Sequence, residues 1–82
     1  MLGAMLLAAA CGREPAHDYP AEVVDNFVAA CRTRAPEPTC RCAIDRLQDR
    51  FAWDEFRIHE ARMAKGEMPD EVAHVVGACA QP

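Results

Sequence analysis

Five cysteines in an 82-residue chain constrain this protein's fold more than any other feature. A chain of this length holds one domain and buries a smaller fraction of its surface than a larger one, so it commonly needs covalent or metal staples beside its apolar core. The cysteines gather around Cys40-Arg41-Cys42, with Cys31 before the pair, Cys79 near the C-terminus and Cys11 far upstream. Such a density in an exported chain reads as a disulfide framework. An odd number then leaves one thiol that needs another role.

The N-terminus supplies that role. Met1 to Ala10 is uncharged and apolar, and it stops abruptly at Cys11-Gly12-Arg13-Glu14-Pro15. It is far short of the roughly 20 apolar residues a spanning helix needs, but it suits the apolar region of an export signal with small residues before the cut. Leu7-Ala8-Ala9-Ala10-Cys11 resembles the lipobox of bacterial lipoproteins, with its leucine one place upstream of the usual position. The resemblance implies a signal peptide over 1–10, cleavage before Cys11 and lipid on the Cys11 thiol, which leaves four cysteines to pair. An ordinary signal peptide cut at Ala10 or nearby, or a short buried helix, is the alternative. Residues 11–18, with Pro15 and mixed charge, read as a tether, and His17 as a solvated linker residue.

The rest, 19–82, carries helical periodicity and no strand-like alternation, so an all-α domain of three or four helices is expected. A first helix starts at Tyr19-Pro20, and Val24, Phe27, Val28 and Cys31 form one apolar stripe. The prolines in Thr33 to Thr39 stop it. A second helix starts at Pro38 or Thr39 and turns Cys40, Ala43, Ile44, Leu47 and Phe51 inward. Cys42 lies about 200° round from Cys40 at roughly 100° per residue, so the two thiols suit separate partners better than each other. After a corner at Phe51-Ala52-Trp53, Asp54 caps a third helix running to Lys65. Phe56 and Met63 are its expected inward residues, with Ile58 or Ala64, while Arg57, His59, Glu60 and Arg62 read as solvated. Gly66 fits a left-handed C-terminal cap, and Pro69 starts a last helix with the stripe Val72, Val75, Val76, Cys79.

Four cysteines allow three connectivities, and sequence alone does not select among them. The favoured one pairs Cys31 with Cys42 and Cys40 with Cys79, because Cys40 and Cys79 both lie on apolar stripes. The exchange of Cys40 and Cys42 between the two partners stays open beside it.

Other chemistries find less support. A net charge of −4, with basic residues spread among acids, argues against a nucleic-acid binder. Cys40 and Cys42 could instead serve as a redox couple or bind a soft metal as thiolates, which is the alternative function to a structural pair. His59 and His74 lack metal-ligand spacing with the cysteines and read as exposed helical residues. Met63 and Met68 suit core or cap filling, the acid pairs Asp54-Glu55 and Asp70-Glu71 suit helix starts, and Trp53 with Phe51 and Phe56 suits core packing. No metal, cofactor or catalytic group is expected.

Taken together, Tyr19-Pro20, Phe27-Val28-Ala29-Ala30-Cys31, Cys40-Arg41-Cys42 with Leu47, Asp54-Glu55-Phe56, Gly66-Glu67-Met68-Pro69 and Cys79 resemble a scattered group of small exported bacterial proteins of unknown function. The expectation is a non-enzymatic lipoprotein of the bacterial cell envelope, a structural or protein-binding module. It would be held to the membrane by lipid on Cys11, face the periplasm or exterior, and meet an envelope protein partner rather than nucleic acid.

Overall fold

The computed structural model describes residues 16–80. They form α1 (Ala21–Cys31), α2 (Glu37–Arg50), α3 (Trp53–Ala64), α4 (Asp70–Gly77) and a closing 3-10 turn, Ala78–Ala80. Among the described residues there is no strand, and two disulfides tie the helices, so the fold is all-α and disulfide-stapled. The expected signal peptide over 1–10 and the expected lipid site Cys11 lie outside the described residues.

Helix α2 is the centre of the molecule. Its buried residues Cys40, Ala43, Ile44, Leu47 and Gln48 follow the spacing of one helical face. Helix α1 packs along one part of α2 and α4 along another. The helix starts at Glu37, slightly earlier than Pro38 or Thr39, because Pro36 holds an extended conformation (φ −64°, ψ 152°) and Pro38 falls in the first turn, where no intrahelical donor is needed. Pro20 and Pro69 play the same part before α1 and α4. Three of the four helices therefore begin immediately after a proline.

The other elements cover α2. In α1 the expected stripe faces inward, with Val28 buried and Val24, Phe27 and Cys31 half-buried against the core. Phe51 and Ala52 are both extended and turn the chain from α2 into α3. Helix α3 begins at Trp53, so Asp54 lies in its first turn and makes no capping hydrogen bond, unlike the expected cap.

The inward face of α3 differs from expectation at three residues. Ile58 is 65% exposed and Ala64 is also exposed, whereas His59 is buried, leaving 7% of its surface accessible. Counting from the fully buried Phe56, steps of three and four reach His59 and Met63, while Ile58 falls about 200° away. Geometry placed the imidazole inside over the more apolar neighbour.

Gly66 ends α3 as expected, at φ +88°. Its N–H donates to the Met63 carbonyl (2.9 Å), and the Glu67 N–H donates to the Arg62 carbonyl (3.1 Å), the bonding pattern of a left-handed glycine cap. Pro69, fully buried, then starts α4, whose Val72 is also fully buried.

The folded unit begins before Tyr19. The Ala16 N–H donates to Asp49 Oδ1 (3.1 Å) and the His17 N–H to the Gln48 carbonyl (3.0 Å), so the end of the expected tether is docked on the last turn of α2. His17 is half-buried there.

Candidate functional site

Each sulfur of the Cys40-Arg41-Cys42 pair holds a different part of the fold. Cys31 bonds to Cys40 and Cys42 bonds to Cys79, each pair with Cα atoms 5.8 Å apart. This corrects the favoured pairing of Cys31 with Cys42 and Cys40 with Cys79, and matches the alternative left open. Cys40 is fully buried on the inward face of α2. Cys31 closes the inward stripe of α1 and meets it across the turn between the two helices. Cys42, a little over half a turn further round and half-buried, points to the flank where α4 and the 3-10 turn pack, and there it meets Cys79. The expected separation of the two thiols holds; the face taken by α4 is what periodicity could not supply.

Beside the first bridge runs an apolar groove of about 510 Å³. Phe27, Cys31, Ala43, Met63, Met68 and Val76 line it, and Arg34 and Glu60 stand among its polar residues. Met63 is half-buried, whereas Met68 is 56% exposed and so does not fill the core. Thioethers are adaptable contact groups at apolar surfaces.

The aromatic cluster is larger than the sequence suggested, because Tyr19 joins it. Its ring stacks on Phe56 at 5.0 Å and lies tilted to Trp53 at 5.4 Å. Its hydroxyl lies 2.9 Å from the Leu47 carbonyl and 2.8 Å from the Phe51 carbonyl, donating to the backbone at the end of α2. Its N–H donates to Gln48 Oε1 (3.1 Å), which satisfies a buried amide. Burial, reinforced by the Glu55 carboxylate, pushes ionisation of this hydroxyl above the ordinary tyrosine value. Core packing is thus the role of Phe51 and Phe56, with Trp53 half-buried at the edge. A lone tyrosine before a proline carries no periodic signal, so its anchoring role was not legible.

His59, expected on the surface, lies edge-on to Phe51 at 5.0 Å, and neither ring nitrogen has a hydrogen-bond partner among the described residues. His74 is exposed on α4, as expected. It lines a concavity of about 340 Å³ with Arg46, Asp49 and Arg50 of α2. The described residues hold no cluster of three or more metal-ligating side chains and no helix long and apolar enough to cross a membrane.

Comparison of the chain with protein-family models, curated proteins and solved structures found no match. The described residues form a small all-α domain with two disulfides sharing one central helix.

Proposed function

We propose that this protein is a non-enzymatic lipoprotein of the bacterial cell envelope, carrying lipid on Cys11 and presenting its helical domain to the periplasm or exterior as a structural or protein-binding module. The observation that supports the anchor is the closure of the cysteine set. Cys31, Cys40, Cys42 and Cys79 bond among themselves, so Cys11 has no cysteine of its own chain left to pair with. Two disulfides in a small domain suit an oxidising compartment outside the cytoplasm. A thiol left over there, directly after an apolar run with small residues at its end, fits acylation. In support of a binding module, the groove beside Met63 and Met68 offers apolar surface to the side chains of a protein partner.

Mass spectrometry of the protein from the membrane fraction tests the anchor. A mature chain beginning at Cys11 with fatty acyl groups is expected, and Cys11→Ser should move the protein to the soluble fraction. An unmodified soluble chain beginning at Ala16 or later would remove the lipoprotein reading. For the module, a photo-crosslinking residue at Met68 should yield one discrete adduct with an envelope protein, and the same residue at exposed Glu22 none. Equal labelling at both positions would remove the groove from the proposal.

A further inference from the structure

The concavity between the end of α2 and α4 gathers three nitrogen-bearing side chains on a chain that is acidic overall. Arg46 and Arg50, one turn apart on α2, face His74 of α4 across about 340 Å³, with Val75 and Ala78 completing the wall. Among the described residues, the two arginines and the histidine have no ion pair with a carboxylate, in contrast to Arg32, Arg41 and Arg62, which lie within 4 Å of Glu37 or Glu67. The Arg50 guanidinium sits 5.8 Å from the centre of the Phe51 ring, a contact that leaves its N–H groups available. The carboxylate on the wall, Asp49, accepts the Ala16 N–H. Forked guanidinium donors on two successive turns with an imidazole opposite are suited to the tetrahedral oxygens of a phosphate group.

The position of the concavity says which phosphate. The Ala16 contact with Asp49 brings the chain into the domain on the wall of this pocket. From Cys11 to Ala16 is five residues of chain, which span at most roughly 17 Å when fully extended. A lipid on Cys11 would therefore keep the pocket within about two Debye lengths of the headgroup layer, near enough for the domain to bring it into direct contact with a headgroup.

We propose that Arg46, Arg50 and His74 form a binding site for the phosphate of an anionic phospholipid headgroup, which orients the domain on its membrane. The choice of lipid as the source rests on the anchored reading; the phosphate chemistry of the pocket does not.

The test uses the full chain carrying Cys11→Ser, so that lipidation plays no part, titrated with short-chain phosphatidylglycerol below its micelle concentration and separately with inorganic phosphate. Side-chain NMR signals of Arg46, Arg50 and His74 should shift saturably with the lipid and much less with free phosphate. The exposed pair Arg46→Gln with Arg50→Gln should weaken binding by roughly tenfold or more while the circular dichroism spectrum is unchanged. Saturable binding of free phosphate as tight as that of the lipid would overturn the membrane source. No localised shift with either probe, or an unchanged affinity in the double variant, would overturn the site. Because acylation of Cys11 is measured on the wild-type chain, the two proposals can fail separately.

Discussion

Tyr19 ties the entering chain to the central helix through a single side chain, and its removal should be felt at both ends. Tyr19→Phe keeps the ring stacked on Phe56 but leaves the Leu47 and Phe51 carbonyls without the hydroxyl. A loss of about 1–2 kcal/mol is expected, read as a lower denaturation midpoint. The variant also changes the alkaline limit. Because the folded state holds the phenolic proton more tightly than the unfolded chain, the associated stability is present below pH about 10 and is lost as pH rises above it. Wild-type stability should fall through that range more steeply than that of Tyr19→Phe; parallel profiles would show that ionisation of Tyr19 is not coupled to folding. His59 makes the opposite case. A buried ring with two unpartnered nitrogens carries a desolvation cost that an apolar side chain of similar size avoids. His59→Leu should therefore raise stability by about 1 kcal/mol, or roughly 5 °C in Tm for a domain this small. A lower Tm would mean that the imidazole has a partner.

At the scale of elements, the break between α3 and α4 depends on one backbone conformation. Gly66 at φ +88° has open space around it, so a methyl group would meet no neighbour and only the left-handed backbone would resist it. Gly66→Ala should accordingly cost about 1 kcal/mol, and a neutral result would show that the cap can rearrange. This cap was legible in the sequence, as were the four helices, the proline starts of the first and last, and three of the four apolar stripes, because each depends on local spacing and backbone preference. On α3, polarity points the wrong way: it suggests Ile58 or Ala64 for the inward face and solvent for His59, whereas the register fixed by Phe56 buries His59. The disulfide pairing was not legible for a different reason. It depends on which flank of α2 receives α4, a long-range choice to which the stripes of α1 and α4 are equally compatible. The candidate surfaces, the Met68 groove and the Arg46–Arg50–His74 concavity, are made by residues from separate helices, and no single stretch of sequence announces them.

For the whole molecule, the two bridges are worth a large share of the stability. In the chain-entropy treatment, closing separations of 9 and 37 residues contributes about 2.5 and about 4 kcal/mol. Small domains have about 5–15 kcal/mol in total, so full reduction should abolish the helical circular dichroism signal cooperatively, and a reduced chain that stayed helical would refute the staple reading. Cys42→Ser with Cys79→Ser should destabilise more than Cys31→Ser with Cys40→Ser if loop closure dominates; the reverse order would point to packing around the fully buried Cys40. The connectivity also bears on biogenesis. Each bridge joins neighbours in the chain order of the four sulfurs, the first with the second and the third with the fourth. Oxidation that proceeds along the emerging polypeptide can therefore reach the native pattern without breaking a bond already made. Because the native pattern joins consecutive cysteines of the four, disulfide isomerase activity should be dispensable for its maturation.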